Sequence, residues 1–182
     1  NIIKHLIIIK KNVIAISRRD EKNISFLPYK KNIHYKKYVN FYKVDVNKDI
    51  LKLKKIIKKH KPKYVINYAG QGMVEQSWST PEDWYTTNII GQIKLISILK
   101  ESKSLKKYIH FTTPEVYGST SKIIKESFNF NPSTPYANSR AALDFHLKMM
   151  SDKYNFPVIF TRAANVYGEY QDLFRIIPKA IM

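Results

Sequence analysis

The sequence predicts an α/β fold in which a doubly wound parallel sheet is covered by helices. Two observations carry this prediction: short apolar runs alternate with longer amphipathic segments, and no internal repeat or linker divides the chain. Strands that are separated by helices form βαβ units, and the strands of such units run parallel. With 182 residues the chain is long enough for one domain with a hydrophobic core.

Five short runs rich in β-branched and aromatic residues are predicted to be strands. They cover residues 13–16, 39–46, 64–68, 108–112 and 157–161. The first run is apolar throughout and is followed by Ser17. A continuous apolar run is typical of a strand that is covered on both faces, so we expect this strand to be buried.

Helices are predicted between the strands, because apolar residues recur there every three or four positions. They cover residues 2–9, 49–60, 81–102 and 136–154, and a last short helix follows a loop that ends at Tyr170. Pro62 follows the second helix and Pro81 opens the third, which are positions that proline tolerates. Residues 118–135 are rich in Ser, Asn and Pro, which predicts a loop.

The beginning of the chain departs from the usual order of a doubly wound nucleotide-binding sheet. Such a sheet starts with a strand and a Gly-rich turn, whereas this chain opens on the apolar segment 2–9. Its five glycines, at positions 70, 72, 91, 118 and 168, cannot form that turn. We therefore expect residues 1–182 to be a partial domain that lacks the first strand, which lies at the sheet centre. Its absence leaves neighbouring strands unpaired, so the chain alone is expected to be unstable and nearly inactive.

The chain is strongly basic, with 32 Lys and Arg against 14 Asp and Glu, a formal net charge of +18. A basic surface can bind nucleic acid. Lys, Ile and Asn are abundant together along the whole chain, however, and Arg is scarce. A general compositional bias therefore explains the charge better, and nucleic acid is not the partner we favour.

Composition excludes several other classes of function. The chain has no Cys, so disulfides, thiolate metal sites and a cysteine nucleophile are excluded. Its five histidines lack metal-ligand spacing, so we predict no metal site, and His110 is expected in the core. No apolar run approaches the roughly 20 residues of a membrane span, and the N-terminus resembles neither a signal peptide nor an anchor. We expect a cytoplasmic protein without membrane contact.

One group of residues suggests redox chemistry on an alcohol. Tyr136 and Arg140 are four residues apart and so lie on one face of the predicted helix 136–154. A cation one turn away stabilises a phenolate, which can then remove a proton from an alcohol while a nicotinamide takes the hydride. Thr112 or Thr113, at the end of a strand, could hold the alcohol. The bare spacing of Tyr136 and Arg140, taken alone, favours a surface cation–π or packing pair.

Several ordered motifs favour the catalytic interpretation. The chain contains NYAGQ at 67–71, TN at 87–88, TTPEVYG at 112–118, TPYANSR at 134–140 and TRAANVYG at 161–168. Their order and spacing closely resemble the extended short-chain dehydrogenase/reductase superfamily, and within it the NAD(P)-dependent nucleotide-sugar epimerase/dehydratase family. The resemblance covers essentially all 182 residues and implies a Rossmann-like fold. It also implies a C-terminal substrate region, which residues 1–182 do not contain.

The resemblance implies a cofactor site for NAD or NADP. The cofactor is expected against Tyr68, Ala69 and Gly70, the adenine-contacting pair Asp45 and Val46, and the residues Thr112, Tyr136 and Arg140. Arg18 follows the first predicted strand, where an acidic residue holds the ribose of NAD and an arginine favours the phosphate of NADP. Asp20 is close by, so either cofactor remains open.

The resemblance also implies the roles of the reacting residues. Tyr136 matches the catalytic base, and Arg140 stands where the family usually has a lysine that bonds the nicotinamide ribose. Thr113 matches the residue that hydrogen-bonds the sugar 4-hydroxyl. Gln71 and Asn165 match positions that contact the nucleotide sugar.

Glu115 favours one branch of this family. Sugar 4,6-dehydratases resemble this chain in having Glu two residues after the catalytic Thr, where it removes the C5 proton once C4 is oxidised. A preceding acid or hydroxyl residue aids loss of water from C6, but here that position is Pro114, which has no proton to give. The sequence therefore predicts a nucleotide-sugar 4,6-dehydratase of the dTDP-glucose or GDP-mannose type.

Three further possibilities follow from the same sequence. Pro114 leaves an epimerase or a 4-reductase of the same family as the first alternative. A non-catalytic basic Rossmann protein that binds nucleic acid is the second. The resemblance also implies a homodimer of the full-length protein through the predicted helices 81–102 and 136–154.

Overall fold

The computed structural model describes residues 1–121 and 123–182. The chain divides into two compact units. The terminal unit consists of Asn1–Asp45 and Asn165–Met182, and the central unit of Val46–Ala164. Each unit is described by itself.

The described residues form five strands and eight α-helices. The strands are β1 (Val13–Ser17), β2 (Val39–Lys43), β3 (Tyr64–Asn67), β4 (Lys107–Thr112) and β5 (Val158–Arg162). The helices are α1 (Ile2–Ile8), α2 (Tyr35–Tyr38), α3 (Ile50–His60), α4 (Gln76–Ser79), α5 (Pro81–Tyr85), α6 (Gly91–Lys100), α7 (Pro135–Tyr154) and α8 (Ile176–Ile181). All five predicted strands are confirmed within a few residues. The short helices α2 and α4 were missed, because one turn is too short to show a period.

In the terminal unit β1 and β2 run parallel, with Val13 opposite Val39 and Ser17 opposite Lys43. The prediction that the first strand is buried is wrong, since Val13 to Ala15 are half-buried and Ile16 is exposed. A sheet of two strands covers too little surface to bury both faces of a strand.

In the central unit β3, β4 and β5 form a parallel sheet in that order. Helix α3 buries Leu53, Ile56 and Ile57, and its lysines lie on the exposed face as the sequence predicted. The helix ends at Lys61, whose left-handed backbone conformation precedes Pro62.

The predicted single sheet is therefore present as two parallel sheets, β1-β2 and β3-β4-β5. Among the described strands, no hydrogen-bonded pairing joins the two groups.

The predicted helix 81–102 is helical from Pro81 to Lys100 but not uniform. A π-helical turn, Thr86–Ile90, separates α5 from α6. Its Asn88 side chain is fully buried and bonds to groups outside the helix. π-helical turns of this kind are frequent at functional sites.

Neither a membrane span nor a metal cluster is found in the part of the chain that the structure describes. No helix there is long and apolar enough to cross a bilayer. No group of three or more His, Asp and Glu side chains there is placed to hold a metal ion.

Candidate active site

The carboxyl ends of β3 and β4 meet the first half of helix α7. Parallel strands present their carboxyl ends at one edge of the sheet, which is where ligands bind in open α/β folds. The loop 68–71 follows β3, the segment 113–117 follows β4, and α7 carries Tyr136 and Arg140. The structure therefore brings most of the predicted catalytic residues to one edge of the central sheet.

Arg140 is the buried cation of this edge, with 7% of its surface exposed. Its guanidinium donates to the carbonyl oxygen of Phe111, near the end of β4. A Cβ atom on Gly70 would lie 2.6 Å from Arg140 Nη1 and 3.2 Å from Asn88 Oδ1. Glycine at position 70 therefore leaves the space that the guanidinium occupies.

Burial lowers the pKa of Arg140, and its interactions with Tyr136, Asp144 and Tyr108 partly offset this effect. An arginine keeps its charge even after such a shift, because its ordinary pKa lies far above neutral. The position of Tyr136 among these groups places the phenol within the electrostatic reach of the guanidinium. The catalytic pairing of Tyr136 with Arg140 stays a prediction.

The start of helix α7 fixes the half-buried Tyr136. The Thr134 side chain caps the helix by accepting from the Ala137 amide at 3.0 Å, and Pro135 occupies its first turn. The Tyr136 amide donates to the buried Ser77 hydroxyl at 3.2 Å. The backbone that carries the phenol is therefore held from two sides.

Asn88 connects the loop after β3 to helix α7. Its Oδ1 accepts from the Gln71 amide at 2.6 Å, and its Nδ2 donates to the Gln71 carbonyl at 3.0 Å and to Ser139 Oγ at 2.9 Å. Ser139 Oγ donates in turn to the Tyr136 carbonyl at 2.7 Å. No role was predicted for Asn88, although it is the second residue of the TN motif at 87–88.

Asn67 holds the beginning of the same loop. Its Nδ2 donates to Gln92 Oε1 at 2.7 Å and to the Tyr108 hydroxyl at 2.6 Å, and its Oδ1 accepts from the Ala69 amide at 3.0 Å. The next residue, Tyr68, lies with its ring centre 3.9 Å from that of Phe111. The predicted cofactor loop is therefore tied down at both of its ends.

Thr113 precedes and caps a short 3-10 turn, Pro114–Tyr117, that follows β4 and contains Glu115. The Thr113 hydroxyl is buried and accepts from the Glu115 amide at 3.3 Å, so its own hydrogen remains available to donate. Pro114 opens the turn. Partial burial raises the pKa of Glu115, although the residue as a whole is exposed.

Thr112 belongs to a buried polar cluster that sequence reasoning missed. Its hydroxyl donates to Asp144 Oδ2 at 3.1 Å, and Arg162 Nη1 lies 2.5 Å from the same oxygen. Any contact of Thr112 with a cofactor would therefore come from its backbone. His110 Nε2 lies 3.2 Å from Asp144 Oδ1, and burial lowers the pKa of His110, which keeps the imidazole neutral. The prediction that His110 is a core residue is confirmed.

The remaining predicted residues lie elsewhere in the two units. Arg18 follows β1 and is exposed, Asp45 follows β2 and is half-buried, and Asn165 is exposed; all three belong to the terminal unit. Val46 opens the central unit, and its Cγ2 would lie 3.2 Å from a Cβ atom on Gly91. The roles of these four residues stay predictions.

The chain is similar in sequence to known nucleotide-sugar dehydratases. Residues 1–182 match the family model described as GDP-mannose 4,6 dehydratase. The chain is 33% identical over 152 residues to a dTDP-glucose 4,6-dehydratase from Haemophilus influenzae, an alignment that covers 78% of this chain and 45% of that protein. It is 36% identical over 118 residues to the human dTDP-D-glucose 4,6-dehydratase, covering 64% and 33% of the two chains.

Solved structures share the fold. A UDP-N-acetylglucosamine 4-epimerase from Methanobrevibacter ruminantium superposes with a TM-score of 0.84 at 27% identity, over 99% of this chain and 56% of that one. A dTDP-glucose 4,6-dehydratase from Streptomyces venezuelae, solved with NAD bound, gives 0.82 at 22% identity, over 97% and 56%. The chain spans about half the length of these proteins.

Proposed function

Because the chain belongs to the GDP-mannose 4,6 dehydratase family, we propose that the complete protein is an NAD(P)-dependent nucleotide-sugar 4,6-dehydratase. The substrate is a sugar of the dTDP-glucose or GDP-mannose type, which is oxidised at C4 and loses water across C5 and C6. One observation carries the proposal: Tyr136, Arg140 and the turn with Thr113 and Glu115 share one edge of the central sheet.

The residues at this edge fit a nicotinamide cofactor. Gly70 presents bare backbone beside Arg140, where a side chain would collide with the guanidinium. Arg140 Nε is buried and has no hydrogen-bond acceptor among the described residues, so one donor is left for a ligand. We assign cofactor contacts to Tyr68, Ala69, Gly70 and Arg140. When bound, the cofactor supplies a hydride acceptor.

Tyr136 and Thr113 act on the sugar 4-hydroxyl in this proposal. The Tyr136 phenolate takes the hydroxyl proton, and the positive charge of Arg140 stabilises that phenolate. The free hydrogen of the Thr113 hydroxyl is available to hold the same sugar oxygen. These two contacts fix the C4 position while it is oxidised to a ketone.

Glu115 takes the proton at C5 once the ketone has made that proton acidic. A carboxylate whose pKa is raised by burial is a stronger base than an ordinary one. The hydroxyl leaving C6 needs a proton, which Pro114 cannot give. We assign this proton to Glu115 itself, which holds the proton removed from C5 and can return it to the leaving oxygen. The elimination leaves a double bond between C5 and C6; C6 then takes back the hydride removed from C4, and C5 takes a proton from solvent. The product is the 4-keto-6-deoxy sugar, with a net loss of one water molecule.

The test is incubation of the complete gene product with dTDP-glucose or GDP-mannose and NAD or NADP. We expect a 4-keto-6-deoxy nucleotide sugar, detected by mass spectrometry as loss of water, with solvent deuterium at C5. Replacing Glu115 by Gln should prevent loss of water while the cofactor is still reduced. A 4-epimer formed without loss of water would contradict the dehydratase.

An epimerase of the same family is the second candidate, and Pro114 favours it. The turn lacks the acid or hydroxyl residue that dehydratases of this kind carry before Glu115. If Glu115 cannot also serve as the acid, the reaction stops at a change of configuration. The same product assay distinguishes the two candidates.

We also propose that the complete protein is a cytoplasmic homodimer. Helices α6 and α7 and the π-helical turn carry the apolar residues that could meet a second copy. Ile90, Phe145 and Met149 are exposed there. Light scattering of the complete gene product should give twice the monomer mass, and a Phe145→Glu substitution should halve it.

A further inference from the structure

Arg162, the last residue of β5, lies at the centre of a buried cluster that the proposed chemistry does not use. Only 12% of its side chain is exposed. Its Nη1 lies 2.5 Å from Asp144 Oδ2, and its Nε donates to the Tyr117 hydroxyl at 2.9 Å. The guanidinium therefore uses two separate donors on two different parts of the central unit.

Aromatic rings surround this guanidinium. Its central carbon lies 4.9 to 5.9 Å from the ring centres of Tyr117, Phe128, Phe130 and Phe160. Rings at these distances attract the cation and keep water away from it. An ion pair in such surroundings holds its geometry more firmly than one at the surface, and losing one partner leaves a buried charge uncompensated.

The Tyr117 hydroxyl is fully engaged. It accepts from Arg162 Nε and from the Ser127 amide at 3.1 Å, and it donates to the Ser127 carbonyl at 3.0 Å. Tyr117 is the last residue of the 3-10 turn that follows Thr113, with Glu115 in the middle. The bond from Arg162 therefore fixes the end of the turn that carries the proposed C5 base.

Asp144 places the other contact of Arg162 on helix α7. It lies four residues after Arg140 and eight after Tyr136, so the three side chains are on one face of the helix. Asp144 is fully buried, and it also accepts from Thr112 at the end of β4. One arginine thus connects the helix of the proposed C4 base to the turn of the proposed C5 base.

We propose that Arg162 is a positioning residue that fixes the Glu115 turn relative to Tyr136. The inference rests on the proposed function, because it concerns the order of two steps on one bound sugar. Through Asp144 the guanidinium orients helix α7, and through Tyr117 it orients the turn. Loss of the Tyr117 contact displaces Glu115 and slows removal of the C5 proton, while C4 oxidation by Tyr136 continues.

Tyr117→Phe is the first test, because it keeps the aromatic ring and removes only the hydroxyl. In the complete gene product, single-turnover mixing follows cofactor reduction by absorbance, and product analysis follows loss of water and deuterium uptake at C5. We expect loss of water to slow on the order of tenfold and cofactor reduction to stay within about twofold. Tyr64→Phe, at an exposed tyrosine that begins β3, is the matched control and should change neither rate.

Arg162→Lys is the second test. A lysine keeps the charge beside Asp144 but lacks the rigid fork that reaches Tyr117 at the same time. We therefore expect the same selective slowing of water loss as for Tyr117→Phe. The melting temperature of each variant shows whether the fold is retained. Combining both substitutions should slow the step no further than either one, because they remove the same contact.

The outcomes separate the two proposals. If the parent protein makes no 4-keto-6-deoxy product, the proposed function fails and this inference falls with it. If the parent makes the product but Tyr117→Phe and Arg162→Lys slow both steps equally, or slow neither, the positioning role alone is overturned.

Discussion

The central unit and the terminal unit differ in how they hold polar side chains. In the central unit, Asn67, Asn88, Arg140 and Asp144 are buried, and each has a hydrogen-bond partner within that unit. In the terminal unit, Arg18 and Asn165 are exposed, and β1 is half-buried at most. The residues assigned to the reaction are thus held by contacts within the central unit, whereas Arg18 and Asn165 lie on the surface of the terminal unit.

Asp144→Ala tests this difference between the two units with the largest expected effect. The substitution leaves the Arg162 guanidinium buried without its carboxylate, so we expect a loss of about 3–5 kcal/mol in free energy of unfolding. Urea denaturation of the complete gene product measures it. Hydrogen exchange should increase in β4 and β5 and not in β1 and β2.

Asp152→Ala is the matched control on the same helix. Asp152 pairs with Lys148 at 2.6 Å, but both side chains are exposed. Its removal should cost less than about 1 kcal/mol. If both substitutions lower the free energy of unfolding by the same amount, burial of the Asp144 cluster does not stabilise the central unit more than an exposed ion pair does.

Gly70→Ala is expected to have the next largest effect. The added Cβ would lie 2.6 Å from Arg140 Nη1, so the guanidinium must move from its place beside the proposed cofactor site. We expect kcat/KM to fall on the order of tenfold, which corresponds to ~1.4 kcal/mol. Steady-state kinetics with varied cofactor concentration measures it.

Gly72→Ala provides the control two residues away. A Cβ at position 72 meets nothing within 4 Å, so this substitution should leave the kinetics unchanged. A loss of activity in Gly72→Ala equal to that in Gly70→Ala would mean that the loop backbone matters and the space beside Arg140 does not.

The pH dependence of the free energy of unfolding should also differ between the two units, because a buried histidine lies in the central unit and an exposed one in the terminal unit. Burial lowers the pKa of His110 in the folded state, so below about pH 6.5 the unfolded chain binds a proton that the folded chain does not. Stability should therefore be complete above that pH and fall by up to about 1.4 kcal/mol per pH unit below it. Denaturation between pH 5 and 8 measures the slope.

A His110→Gln variant should flatten this slope. His34→Gln, at an exposed histidine of the terminal unit, serves as the comparison and should leave it unchanged. An unaltered slope in His110→Gln would show that this imidazole is protonated in the folded protein as readily as in the unfolded chain.

The sequence predicted the frame of the central unit better than its polar interior. Helix α7 could be predicted because apolar residues recur along it every three or four positions, although it begins at Pro135, which was expected in the preceding loop. The burial of Asp144 and its pairing with Arg162 could not be predicted. In the sequence an acidic residue beside Leu143 and Leu147 shows no partner, because only the fold brings Arg162 to it. Side-chain pairs far apart in sequence leave no periodic signal. The π-helical turn was missed for the same reason, since Asn88 bonds to distant groups.

The terminal unit was predicted less well for a different reason. The apolar run 13–16 indicates a strand that is covered on both faces, and a strand was found there. Its burial depends on neighbours in the sheet, and β1 pairs with β2 alone among the described strands. Local sequence therefore determined the conformation of this segment, whereas its burial is a property of the assembled sheet.

Arg140→Lys is expected to have the smallest effect and tests how specific the central site is. Lysine restores the residue that the family usually has at this position, and it keeps the positive charge beside Tyr136. It loses the contact that the guanidinium makes with the Phe111 carbonyl unless the ammonium reaches the same oxygen. We expect turnover to be retained or to rise within about threefold, as measured by initial rates. A drop of tenfold or more would mean that the Phe111 contact and the filled space beside Gly70 matter more than the charge alone.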